Sequence, residues 1–154
     1  MKKTLVIGIG SILRGDDGLG MRVIDEIEKE ICLKNITLES ADVSGLDLLK
    51  YFPGNDKIII VDAADMREEP GKIKIFKADE IKKNFFNELA STHGMPLTET
   101  LALAEKVGIT AEIIIVAIQP EDISFKLELS EKIKKTIPFV VDKIKEIISS
   151  ESKI

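Results

Sequence analysis

Two adjacent carboxylates, Asp16 and Asp17, close the segment GIGSILRGDDGLG at residues 8–20. A second acidic position, Asp62, follows an apolar run in Ile60-Val61-Asp62-Ala63, and the single histidine, His93, lies in Ser91-Thr92-His93-Gly94. Asp17, Asp62 and His93 together would offer two carboxylate oxygens and one imidazole nitrogen. That donor set suits zinc, nickel or a similar divalent ion and leaves coordination positions open. An open-site metal polarises a carbonyl or lowers the pKa of bound water, so hydrolysis is the reaction class the set suggests. The helical zinc-protease pair of histidines is absent, as is a G-x-S-x-G elbow, and His93 has no recognisable serine partner. Spacing alone does not establish convergence, and each residue has a simpler reading. Asp16 and Asp17 suit a helix N-terminus, with Asp16 the better candidate for the cap; Asp62 suits a strand end bonded to backbone amides, and His93 a surface hydrogen bond. Asp65 is expected to start a turn, and Cys32 to pack in the core.

The same loop resembles a phosphate-binding glycine turn, but only in part. In a dinucleotide fingerprint the third glycine follows two residues after the second; here that position is Leu13, and the next glycine is Gly15. Asp16 and Asp17 then stand where pyrophosphate would sit, and two anions there repel it. Nucleotide binding is therefore the weakest of the alternatives.

The elements that must carry these residues alternate. Residues 4–9 read as a buried strand, and residues 21–34 as a helix with Val23, Ile24, Ile27 and Ile31 on one face. Residues 36–41 suggest a second strand, 46–52 a short helix ended by Pro53-Gly54, and 57–61 a central strand ending at Asp62. The alternation of Ile73 and Ile75 with lysines predicts an edge strand over 72–77. Residues 79–90 read as a helix, 91–95 as a loop, 96–107 as a helix with Pro96 in its first turn and Gly108 at its end, and 113–118 as the last buried strand. Ser130 is the expected cap of a final helical region, which Pro138 should kink or divide. The expected fold is a three-layer α/β/α arrangement: a mostly parallel sheet of about five strands with one antiparallel edge strand. Right-handed crossovers then gather the strand-to-helix loops, with Asp17, Asp62 and His93, on one edge.

With 154 residues and 44% hydrophobic content, residues 1–154 are expected to form one domain. Charges of both signs are interspersed and the net charge is −5, so there is no basic stripe for a nucleic-acid backbone. No apolar run reaches membrane-spanning length, and the single cysteine cannot form an internal disulfide; both fit a cytoplasmic protein.

Four segments in this order, GIGSILRGDDGLG, IIIVDAADMREEPGKIKIF, STHGMPLTETL and VAIQPEDISF, resemble the hydrogenase maturation endopeptidases. The likeness is to the type that processes the large subunit of hydrogenase 3 or of related archaeal nickel–iron hydrogenases, and it spans nearly the whole chain. It implies a peptidase that removes a C-terminal extension from the nickel-loaded large-subunit precursor, its partner. It also implies that Asp17, Asp62 and His93 bind metal and form the catalytic site. Nickel would be presented by the precursor, with another divalent cation able to occupy the site in the isolated protein. Aspartic-type and metal-assisted hydrolysis both stay open, as does a non-catalytic nickel-binding maturation chaperone. Asp65, Thr92, Gly94, Met95, Gln119 and Pro120 fall in family-like motifs and are expected to shape the site. The chain departs from the family where Ser11 replaces a common asparagine and Ala41-Asp42 replaces a common Gly-Gly. Ser11 is expected to bond to the loop backbone, and Ala41-Asp42 to alter the approach of the precursor.

Overall fold

The structure is a computed structural model that describes residues 2–42, 45–80, 90–91 and 97–150. Along the chain run β1 (Thr4–Ile9), a 3-10 turn (Gly15–Gly18), α1 (Leu19–Glu30), β2 (Ile36–Ala41) and a second 3-10 segment (Gly45–Tyr51). They are followed by β3 (Lys57–Asp65), β4 (Ile73–Lys77), β5 (Ala90–Ser91), α2 (Leu97–Lys106), β6 (Glu112–Ile118) and α3 (Glu131–Ser149). Five strands lie in the order β2-β1-β3-β6-β4, and the two-residue β5 pairs with the far end of β3. β2, β1, β3 and β6 are parallel, while β4 closes the edge antiparallel to β6. The mostly parallel sheet with one antiparallel edge strand is the architecture expected from the alternating pattern.

β1 is buried throughout, and so is β3 up to its last residue, as a strand covered on both faces requires. Their side chains alternate between two cores. Leu5, Ile7, Ile58 and Ile60 pack with Phe52, Leu101 and Ala104 on one face. Val6, Ile59 and Val61 pack on the other with Val23 and Ile27 of α1 and Ile133, Val140 and Ile144 of α3. Burying a side chain of this size contributes about 1.5–3 kcal/mol.

Several boundaries differ from the sequence expectation for physical reasons. α1 stops at Glu30, and Ile31 is already extended, because the chain needs residues 31–35 to turn back and set Ile36 beside Thr4. β3 does not end at Asp62 but continues to Asp65, since Asp62 and Ala63 are still paired with Ala117 and Ile118 of β6. α3 is one helix and is not divided at Pro138. That residue is exposed, so its ring stands on the outer side of the helix, while Ile133, Ile137, Val140 and Val141 hold the buried side. The helix expected over 79–90 falls mostly outside the described residues, but Ala90 belongs to β5, a strand too short to announce itself. Cys32 is exposed beyond the end of α1, not packed in the core.

Candidate functional site

The first loop is shaped by close backbone approach. A Cβ on Gly8 would collide with the carbonyl oxygen of Gly20, and a Cβ on Gly20 would lie 2.6 Å from the Val61 carbonyl oxygen and 2.9 Å from that of Ile9. The start of α1 is thereby pressed onto the ends of β1 and β3. The helix-to-strand packing that a dinucleotide fingerprint assigns to its third glycine is performed here by Gly20. Gly10 has a φ of +148°, and a Cβ on it would strike the carbonyl oxygen of Asp17. The loop therefore folds back on the 3-10 turn, and the Ser11 N–H donates to Asp17 Oδ2 at 3.1 Å. Ser11 Oγ accepts the Leu13 N–H at 3.3 Å, the backbone bond expected of it.

This packing brings Asp17 and Asp62 to the same corner. Gly8 pairs with Val61, so Asp62 is the first β3 residue past the described β1 pairing, and the turn carrying Asp17 packs on β3. Both are enclosed, Asp17 at 0% and Asp62 at 1% relative exposure. Asp62 interacts with its surroundings, but its Oδ1 accepts no hydrogen bond. His93 lies outside the described residues. Two positions before it, Ser91 of β5 pairs with Ala64, two positions after Asp62. Among the described residues no three His, Cys, Asp or Glu side chains gather as a metal centre.

Asp16 has a different employment from the one expected. It does not cap its own helix, since no side-chain cap bond forms at α1 or at the turn before it. Instead it reaches across to the loop after β6. Its Oδ2 accepts the N–H groups of Glu121 and Asp122, each at 2.9 Å, and the Ser130 hydroxyl at 2.8 Å. Its Oδ1 accepts the Ser130 N–H at 2.7 Å. Ser130 stands at the N-cap of α3 as expected, but its hydroxyl serves Asp16 and not the helix. Asp16 is fully buried, and four donors, two of them at the mouth of a helix, make that position tolerable for a carboxylate.

The two loops are joined further by backbone bonds, Gly15 N–H to the Lys126 carbonyl at 2.8 Å and Lys126 N–H to the Leu13 carbonyl at 3.0 Å. Lys126 bonds to Asp122 at 2.8 Å. That bond, with help from Ser124, holds the Asp122 carboxyl well below the usual carboxylate range and pushes the Lys126 ammonium up. Behind the corner, Gln119 Oε1 accepts the Met66 N–H at 2.6 Å and the Glu68 N–H at 3.3 Å, and its Nε2 donates to Asp65 Oδ1 at 3.3 Å. Asp65 also accepts the Arg67 N–H at 3.1 Å and so starts the turn expected of it. Gln119 shapes the chain leaving β3.

A sequence profile described as the HycI hydrogenase maturation protease matches residues 21–147. A Methanocaldococcus jannaschii protein named as a candidate hydrogenase maturation protease is 38% identical over 157 residues, covering 96% of this chain and 89% of that protein. The hydrogenase expression/formation protein HupD of Bradyrhizobium diazoefficiens is 30% identical over 79% of this chain, which spans only 64% of that protein's length. Among solved structures, the hydrogenase maturating endopeptidase HybD from Escherichia coli superposes with a TM-score of 0.85 at 22% identity, covering 97% of this chain and 93% of that one. That likeness is one of fold. The maturation protease HycI from Thermococcus kodakarensis gives a TM-score of 0.78 at 25% identity over 96% of this chain and 93% of that one.

Proposed function

The chain belongs to the hydrogenase maturation protease family, and from that premise we propose that it is an endopeptidase acting on the large-subunit precursor of a nickel–iron hydrogenase. It removes the C-terminal extension once nickel is in place. The observation that carries this reading is the meeting, at the edge where the strand-to-helix loops gather, of two elements that each carry an enclosed carboxylate, Asp17 in the turn after β1 and Asp62 on the neighbouring parallel strand β3. A divalent cation held between carboxylates at such an enclosed corner offsets the hydration they lose there. Carboxylate oxygens with an imidazole suit nickel or zinc.

In this reading Asp17, Asp62 and His93 recognise nickel carried in the precursor, so nickel belongs to the substrate. The β5 register supports including His93: the antiparallel pairing of Ser91 with Ala64 runs the chain back along β3 in the direction of Asp62. Ser11 orients Asp17 through its amide, and Gln119 fixes the backbone beyond Asp65. Hydrolysis places the hydroxyl of water on the scissile carbonyl carbon, breaks the C–N bond and leaves the proton on the departing nitrogen. Because the acids are covered, the precursor must displace their cover to reach them, which ties cleavage to docking. The glycine loop does not favour a nucleotide, since buried Asp16 and Asp17 occupy the approach to α1.

The test is incubation with nickel-loaded and nickel-free forms of the cognate precursor, followed by mass spectrometry of the large subunit. Shortening of the loaded form alone is expected. Binding of the loaded precursor without shortening would replace this reading with that of a nickel-binding chaperone.

A further inference from the structure

Four large apolar side chains stand in water around the corner. Ile12 and Leu13, in the loop after β1, are 50% and 53% exposed; Phe125 and Leu127, in the loop after β6, are 87% and 65% exposed. Although more than a hundred residues separate the two pairs, they are held side by side. Leu13 and Gly15 exchange backbone bonds with Lys126, which sits between Phe125 and Leu127, and Arg14 forms a parallel bridge with Lys126. Asp16 fastens the same two loops from beneath. The apolar tips are therefore a built feature of two stapled loops.

Their position supplies the occupant. Ser11, whose amide holds the Asp17 carboxylate, directly precedes Ile12, and the Ile12 Cα lies 3.1 Å from where a Cβ on Gly18 would be, beside Asp17. A macromolecule that reaches Asp17 comes against the loop that carries Ile12 and Leu13. Continuity with the carboxylate corner thus assigns the tips to the partner of that corner. We propose that Ile12, Leu13, Phe125 and Leu127 form the docking surface for an apolar segment of the large-subunit precursor next to the scissile bond. This rests on the peptidase reading above. The tips contribute affinity and alignment, while the carboxylates engage the metal.

The experiment compares wild type with two double variants from opposite loops, Ile12→Ser/Leu13→Ser and Phe125→Ser/Leu127→Ser. The readouts are the equilibrium Kd and the KM and kcat for nickel-loaded precursor, with thermal melting and sedimentation as controls. For each variant Kd and KM should rise about tenfold or more, with kcat within about twofold and the melting temperature unchanged. A folded variant with wild-type Kd and KM overturns the proposal. So does a wild-type dimer that the variants turn into monomer without change in Kd, since the surface then serves a second copy. If one double variant fails to fold, the other, on a separate loop, decides. Wild type that binds the precursor but leaves it uncut rejects the peptidase reading, while the Kd values still decide the docking surface.

Discussion

Asp16 and Asp17 are consecutive, equally buried and chemically identical, yet they belong to two different regions of the molecule. Asp16 joins the first loop to the last, and every donor it receives from the final loop and the α3 cap comes from residues 121–130. Asp17 is held from within its own loop by Ser11 and lies against β3, on the side of Asp62. A carboxylate whose oxygens are taken up by amide and hydroxyl donors is fixed in place and has little left to offer a ligand. A carboxylate held mainly from its own loop, against the strand that carries a second acid, is placed to share a ligand with it. The difference teaches that burial alone does not mark a functional acid; where its donors come from does.

The largest expected effect would come from breaking the anchored side. Asp16→Ala leaves four donors of the last loop and α3 unserved and should cost about 3–5 kcal/mol of stability, read from urea denaturation. At saturating precursor, cleavage should fall only as far as the folded fraction falls, while KM rises because the two loops that carry the apolar tips are no longer fastened together. The opposite split sharpens the comparison. Asp17→Asn keeps the shape and the Ser11 bond, so stability should stay within about 1 kcal/mol while kcat/KM for nickel-loaded precursor drops on the order of 100-fold. If Asp17→Asn instead destabilises the protein as Asp16→Ala does, the two regions are one.

A third substitution disturbs the ground common to both. Gly8→Ala forces a methyl against the Gly20 carbonyl and should cost about 1–3 kcal/mol as α1 lifts from the strand ends. The measurement is again denaturation, together with amide exchange at the start of α1, which should speed up. The smallest effect concerns pH. Asp122 is held below its ordinary range by Lys126, so their bond is in place above the unfolded carboxylate value of about 3.9 and is lost as pH falls through the lower folded value. Lys126 is raised by Asp122, so its contribution is present below about 10.4 and is lost as pH rises through the higher folded value. Stability should therefore show no step from this pair between about pH 5 and 9. In an NMR titration the Asp122 carboxyl should titrate below the exposed acids. An ordinary midpoint would mean that the loop after β6 is held by Asp16 and its backbone bonds without help from this ion pair.

Much of the fold was legible because its signals are local. β1 and β2 fall where their β-branched runs predict them, and Ile73 and Ile75 mark β4 as an exposed edge. The errors arise where a distant neighbour decides. Asp62-Ala63-Ala64-Asp65 reads as the exit from a strand, but pairing with β6 keeps its first half in the sheet. Pro138 reads as a break, but the helix turns it to water. Of the site, the shared corner of Asp17 and Asp62 could be anticipated from topology, because parallel strands deliver their following loops to one edge. The task of Asp16 could not, since its donors lie 105 to 114 positions away. The apolar tips had a signal in the alternation Ile123, Phe125, Leu127 and Leu129, which is strand-like but yields only one bridge at Lys126.

The wide separation of Asp16 from its donors has a consequence for how the molecule is made. While the chain emerges from the ribosome, the first loop, α1 and the first three strands are available early, but the residues that serve Asp16 follow about four-fifths of the sequence. Strand β6, which separates β3 from β4, also arrives late. A nascent or truncated chain therefore carries an acidic corner with no clasp on it. Such long-range closure favours completion of the corner after synthesis, and it makes the last loop the step that arms the molecule.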